Sequence, residues 1–198
     1  MNLLILFLGY LFGSFPSGYL AGRITKGIDI RSLGSGSTGA TNVLRHIGKR
    51  AAIAVFFIDV LKGVLSILLA KYFLLNDSWQ VAVGLSTLIG HIWPIWLKWK
   101  GGKAVATGLG IFLGISWQVG LATLGIFILI ITLFRIVSLA SISASLALPF
   151  IMFLSFKNSN ISLPFIIISL LAMILVIWRH RENIVRLIKG KEPKIGQN

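Results

Sequence analysis

Long apolar stretches alternate along this chain with short polar connections rich in Lys, Arg and Gly. A helix that crosses a bilayer needs about 20 apolar residues, within a range near 17–25. Residues 3–22, 51–75 and 79–97 meet that length, and Pro16 with its Gly and Ser neighbours predicts a kink in the first. Residues 104–134 are too long for one span, and Ser116-Trp117-Gln118 marks the natural turn. Dividing there predicts a short helix over 104–117 and a second over 118–134. Residues 137–156 and 161–178 complete seven spans. A five-span arrangement with the weaker segments re-entrant is the alternative. Sixteen of the nineteen Lys and Arg residues fall on one side of the seven-span arrangement and two on the other, with Lys62 inside a span. The positive-inside rule makes the basic side cytoplasmic, with the N-terminus outside and the C-terminus inside.

Composition sharpens the class. The 198 residues are 56% hydrophobic with only five acidic side chains, too few charges to cover a soluble domain. The predicted fold is therefore an all-α polytopic membrane bundle, with residues 1–198 forming a single membrane-embedded domain. The absence of cysteine excludes disulfides, thiolate zinc sites and a protein-bound thioester. The net charge of +14 reflects basic helix ends rather than nucleic-acid binding. Met1-Asn2 lacks a basic n-region and no small-residue cleavage site follows, so the first helix reads as retained.

The connections carry the candidate chemistry. Gly34-Ser35-Gly36-Ser37-Thr38-Gly39 has little side-chain bulk, and Thr41, Asn42 and Arg45 follow at near-helical spacing. Small residues let backbone N–H groups approach an oxyanion, and a guanidinium can hold it bidentately. Anion binding is the favoured reading over plain turn chemistry. Lys100-Gly101-Gly102-Lys103 leads into an apolar helix, but Leu97 and Ala104 break the Walker A pattern. A helix N-terminus with a lysine remains, as an anion site or as a positive-inside anchor. His91 is open between packing and function, as an ionisable group within a span. His180 and Asn183 share a helical face among Arg179, Arg181 and Arg186. Asp59 and Lys62, at i and i+3, read as a structural ion pair, and Ser138 and Ser141 as a polar packing stripe.

No carboxylate pair suits acid/base work, and no His, Cys or Asp cluster has metal-ligand spacing. The His-x₄-Asp dyad of one large acyltransferase class is also absent, since Ala51, Trp96 and Val185 occupy the fifth positions after the three histidines. An enzyme built from these residues relies on positioning and electrostatics, with an activated donor supplying the driving force.

Taken together, the motifs resemble the bacterial membrane acyl-phosphate:glycerol-3-phosphate acyltransferases, the PlsY family. The resemblance runs through Gly13-Ser14-Phe15-Pro16-Ser17-Gly18-Tyr19, Gly34-Ser35-Gly36, and Gly39-Ala40-Thr41-Asn42-Val43-Leu44-Arg45. It continues with Asp59-Val60-Leu61-Lys62-Gly63, Gly90-His91-Ile92-Trp93-Pro94 and Lys100-Gly101-Gly102-Lys103, and ends with Arg179-His180, Asn183-Ile184-Val185-Arg186-Leu187, Gly190 and Glu192. Ser37 departs from the family, which usually has Asn there.

The resemblance implies acyl transfer from acyl phosphate to the 1-hydroxyl of sn-glycerol 3-phosphate. The products are lysophosphatidic acid and phosphate, and neither metal nor cofactor is implied. It assigns Ser35 and Arg45 to the essential first motif, Gly101, Gly102 and Lys103 to phosphate holding, and His180 and Asn183 to the third motif. Glu192 is structural in that scheme. Gly34, Gly36, Thr41, Asn42, His91 and Ser141 carry over as further substrate-binding positions. With no base beside an orienting acid, a substrate-assisted mechanism is expected. The implied setting is the bacterial inner membrane with a cytoplasmic site, in contact with lipid but with no nucleic acid and no obligate protein partner. The rival functions are an organic-phosphate transporter and a non-catalytic scaffold for anionic lipid.

Overall fold

Prolines, glycines and small polar residues punctuate an otherwise continuous helical chain. The computed structural model describes residues 1–158 and 162–196 and contains ten α-helices and no strand among them. They are α1 Asn2–Ser14, α2 Ser17–Lys26, α3 Ala40–His46, α4 Lys49–Tyr72, α5 Asp77–Ile92, α6 Val105–Ile115, α7 Trp117–Phe134, α8 Val137–Asn158, α9 Leu163–Arg179 and α10 Arg181–Ile188. Pro16 separates α1 from α2 as expected, because the residue before proline is driven out of the helical region. Gly27 closes α2 at φ 69°, donating to the Arg23 and Gly22 carbonyls. Asn76 caps α5 by accepting from Trp79 N–H at 3.1 Å. Ser116 caps α7, so the turn read from Ser116-Trp117-Gln118 lies where it was expected.

Two compact units result, Met1–Ile115 and Ser116–Asn198. In the first, α1 packs on α5, and α4 packs on both α5 and α6. Lipid offers no hydrophobic gain for helix association, so close backbone approach replaces it. A Cβ on Gly110 of α6 would lie 2.0 Å from the Val60 carbonyl oxygen, and one on Gly63 of α4 would lie 2.3 Å from the Thr107 carbonyl oxygen. Gly13 and Gly90 allow the same intimacy between α1 and α5. In the second unit α8 packs against α7 and α9.

Phe57, Leu61, Leu65 and Leu68 on α4 and Phe150 and Phe153 on α8 point outward. An apolar exterior of this kind belongs in lipid, and the protein is a multi-pass membrane protein. Five helices or helix pairs are long and apolar enough to cross: Asn2–Lys26, Lys49–Tyr72, Asp77–Leu97, Trp117–Phe134 and Val137–Lys157. A sixth arises if α9 and α10, bent by 61°, count as one. The seventh expected span corresponds to α6, which begins at Val105 and covers about 16 Å at 1.5 Å per residue, short of a hydrocarbon core of about 30 Å. The last expected span starts at Ile161, which lies outside the described residues. The Lys71 ammonium donates to the Gly114 and Ile115 carbonyls at 2.7 and 3.2 Å, closing the C-terminal end of α6 with a charge of the favourable sign.

Two glycine-to-alanine substitutions separate close packing from helix propensity. Gly110→Ala should lower stability by about 1–3 kcal/mol through overpacking. Gly125→Ala, where an added Cβ meets nothing within 4 Å, should be neutral or raise stability by up to about 1 kcal/mol. Thermal unfolding in detergent measures both, and equal shifts would contradict the packing argument.

Candidate active site

The first loop is organised by one amide. Asn42, on the buried side of α3, shares its Nδ2 hydrogens among the Ile30, Leu33 and Ser37 carbonyls at 3.1, 3.0 and 2.9 Å. Its Oδ1 accepts from Ser35 N–H at 3.3 Å. Gly34 (φ 55°) must be glycine twice over, since a Cβ there would also lie 2.4 Å from the His46 ring and 2.6 Å from Asn42 Oδ1. Gly36 N–H donates to Leu33 O at 3.0 Å. Two of the amides expected to cradle an anion are therefore used within the loop. The Ser35 hydroxyl and the Arg45 guanidinium belong to exposed residues, while Thr41 is half-buried. The helical spacing of Thr41, Asn42 and Arg45 thus does not give one binding face, because Asn42 turns inward and Arg45 outward.

The second loop runs back along the end of α5. Gly101 N–H donates to Ile92 O and Gly102 N–H to His91 O, each at 3.1 Å. Neither glycine has room for a side chain: a Cβ on Gly101 would lie 2.1 Å from His91 O, and one on Gly102 2.1 Å from His91 Nε2. Lys98, Trp99 and Ala104 all adopt positive φ, at 52°, 65° and 61°. Non-glycine residues in that region cost of order 1–3 kcal/mol each and persist where the surroundings over-determine them. Lys103 is half-buried between this loop and the start of α6, and His91 is buried with Nδ1 3.1 Å from Thr107 Oγ1.

A residue the sequence analysis did not single out joins the two loops. Arg31 grips Asp29 side-on through the Nε–Nη2 edge of its guanidinium, at 2.6 Å for Nη2–Oδ2 and 3.0 Å for Nε–Oδ1, and its Nη1 donates to Leu97 O of the second loop at 2.8 Å. The Arg31 hydrogen bond holds the Asp29 carboxyl below the usual carboxylate range, against the opposing effect of burial. The available signal was a lone acid, Asp29, in a strongly basic connection.

The second unit builds its polar cluster around the tail. Glu192 Oε1 accepts from Asn183 Nδ2 at 2.6 Å and Ser138 Oγ at 2.8 Å, and Oε2 accepts from Arg186 Nε at 2.7 Å. Ile195 N–H donates to the Arg135 carbonyl at 2.7 Å, laying the tail on the α7–α8 turn. Ser141 turns its hydroxyl back to Val137 O at 2.9 Å. His180, buried at the α9–α10 bend, has Nδ1 2.7 Å from Val176 O. A carbonyl only accepts, so Nδ1 carries a proton, and in the neutral ring Nε2 carries the lone pair. Among the described residues no group of three or more His, Cys, Asp or Glu could hold a metal ion.

Burial alone would raise the Glu192 carboxyl, but hydrogen bonds from Asn183, Ser138 and Arg186 outweigh it and hold it below its ordinary value of 4.5. A lowered folded-state pKa gives stability that is complete above the unfolded value and lost as pH falls through the folded one. Stability of the native chain should therefore decline below pH 4.5. Glu192→Gln should be less stable at neutral pH and show a flatter acid limb in detergent unfolding. Parallel acid limbs in the two proteins would contradict this assignment.

The sequence profile of the glycerol-3-phosphate acyltransferase family matches residues 3–190. A glycerol-3-phosphate acyltransferase of Prochlorococcus marinus (strain NATL2A) is 89% identical over 197 residues, covering 100% of both chains. The crystal structure of PlsY (YgiH), an integral membrane glycerol 3-phosphate acyltransferase in its glycerol 3-phosphate form, superimposes with a TM-score of 0.91 at 37% identity, covering 98% of this chain and 96% of that one. Its lysophosphatidic acid form gives 0.88 at 36% identity, over 98% and 95% of the two chains. With the motifs in order along almost the whole length and the fold shared, the chain belongs to the glycerol-3-phosphate acyltransferase family.

Proposed function

We propose that this acyltransferase uses acyl phosphate as its donor and forms lysophosphatidic acid at the cytoplasmic face of a bacterial inner membrane. The observation that carries the reading is the Arg31 tether, which holds together two glycine loops that each present a cation, Arg45 on one and Lys103 on the other. Two phosphate-bearing substrates repel one another, and paired cations relieve that repulsion while bringing the hydroxyl to the carbonyl carbon. The solved relatives in glycerol 3-phosphate and lysophosphatidic acid forms support the acceptor and the product.

In this reading the acyl tail lies among the helices, where burial is worth roughly 0.8 kcal/mol per CH₂. Ser35 and Arg45 receive one phosphate and Lys103 the other, while Thr41 borders the first loop. Asn42 serves by shaping that loop, and Gly34, Gly36, Gly101 and Gly102 by allowing close backbone turns. The 1-hydroxyl oxygen attacks the acyl carbon, the ester C–O bond forms, and the C–O bond to phosphate breaks. The hydroxyl proton passes to the departing phosphate, which makes the reaction substrate-assisted. His180, Asn183 and Ser141 enter by family resemblance. In this reading residues 1–198 act as one membrane-embedded domain with seven spans, the short α6 counted among them, and the sixteen-to-two basic bias supports an N-terminus outside. No cofactor takes part.

Purified protein in detergent, given glycerol 3-phosphate with either acyl phosphate or acyl-CoA, tests this directly. Lysophosphatidate should appear with acyl phosphate alone. Lys103→Ala should raise KM for glycerol 3-phosphate roughly ten- to hundredfold, the size of one lost charge-assisted contact, with a smaller effect on the tail-anchored donor. Product from acyl-CoA alone would overturn the donor assignment. Uptake of glycerol phosphate into vesicles without a donor would favour a transporter.

A further inference from the structure

Inside the first unit lies a buried polar chain that the proposed reaction does not use. Asp59 of α4 is 2% exposed and its partner Lys62 6%. Asp59 Oδ1 accepts from Ser17 Oγ at 2.7 Å and from Lys62 Nζ at 2.8 Å, and lies 3.8 Å from His91 Nδ1. Lys62 Nζ also reaches Phe15 O at 3.4 Å, a carbonyl at the Pro16 break. The pair therefore has two ends. Lys62 faces the interruption between α1 and α2, and Asp59 faces the histidine at the end of α5.

We infer that Asp59 is a positioning residue that sets the place of the Gly101–Lys103 loop through the ring of His91. Three observations combine. His91 Nδ1 stands between Asp59 Oδ1 and Thr107 Oγ1, so one edge of the ring is fixed by α4 and α6 together. A carboxylate so near disfavours a lone pair on Nδ1 and favours a proton there, with Thr107 accepting it. The opposite edge, at Nε2, is the wall against which Gly102 packs so closely that a Cβ would overlap it. The loop's own amides are bonded to the His91 and Ile92 carbonyls. Ring and loop consequently cannot move independently, and Lys103 follows directly on Gly102. Asp59 and Lys62, a structural pair by their spacing, thus extend through His91 to the Gly101–Lys103 loop.

This inference rests on Lys103 holding a substrate phosphate. Truncating one partner of a buried ion pair leaves the other uncompensated, whereas replacing both with uncharged groups is often tolerated. Asp59→Asn/Lys62→Met is therefore the informative variant. It should remain folded, with an unchanged helical signal and a cooperative thermal transition. Its kcat/KM for glycerol 3-phosphate should fall roughly ten- to hundredfold, as expected for a misplacement near 1 Å, mostly through KM and with the donor KM little changed. Side-chain ¹⁵N spectra of histidine-labelled protein, with the His91 signal assigned by its loss in His91→Gln, should show Nδ1 protonated in the native chain. That preference should weaken in the double variant. Should the double variant not fold, Thr107→Val keeps both charges, removes the ring's hydroxyl partner and should raise the same KM. A folded variant with native KM, or a bare Nδ1 in the native chain, overturns the inference. Absence of acyl transfer in the native chain would strike at the proposed function instead, and the nitrogen spectrum would still report on the ring.

Discussion

The interior of a bilayer has no water to satisfy stray backbone groups, so every irregular stretch of chain near it needs a polar partner from the protein itself. This molecule meets that demand with one inward-facing polar side chain per irregular segment. Asn42 collects three carbonyls of the first glycine loop. His91, backed by Asp59, braces the second. Glu192 gathers three donors, one from α8 and two from α10, to fold back the tail. Arg31 then joins the two loops of the first unit. Without these anchors the glycines would supply only freedom, and a phosphate site needs fixed donors.

The anchors also explain how so few acids are spent. The chain has five, and three of them, Asp29, Asp59 and Glu192, form ion pairs with Arg31, Lys62 and Arg186. The other two, Asp77 and Glu182, occupy first helical turns, where a negative charge complements the helix dipole. Most of the basic excess is thereby left to helix ends and connections. The exposed Ser35 and Arg45 and the half-buried Lys103 stand apart from the inward-turned Asn42 and Asp59. The groups proposed to bind substrate and the groups that frame the loops are thus different residues, which is the condition for pre-organisation.

Helix positions were legible because the bilayer's demand for apolar length is strong. The breaks at Pro16 and Ser116 and the turn before Val137 all fall within a residue or two of expectation. The count of seven spans was harder, since an apolar run does not reveal that α6 starts only at Val105, after a backbone turned through positive φ at Ala104. In the loops, residue type announced anion chemistry but not direction. Nothing in the order Thr41-Asn42-Val43-Leu44-Arg45 tells which side chain faces inward, because the decision belongs to carbonyls at residues 30, 33 and 37. Asp59 and Lys62 were readable as neighbours from their spacing. Their continuation to Ser17, His91 and Thr107 depends on α4 packing against α2, α5 and α6, the last crossing allowed by Gly63 and Gly110, and sequence separation hides it.

Amide hydrogen exchange of residues 34–39 and 101–103, with and without glycerol 3-phosphate, tests the central claim most directly when the native chain is compared with Asn42→Ala. Inward polar anchors that hold the phosphate loops predict slow exchange in the native first loop, further slowed in both loops by the ligand. In Asn42→Ala they predict fast exchange in the first loop and loss of most of the ligand's protection, with α4 unchanged. Equal protection by glycerol 3-phosphate in the two proteins would contradict the account.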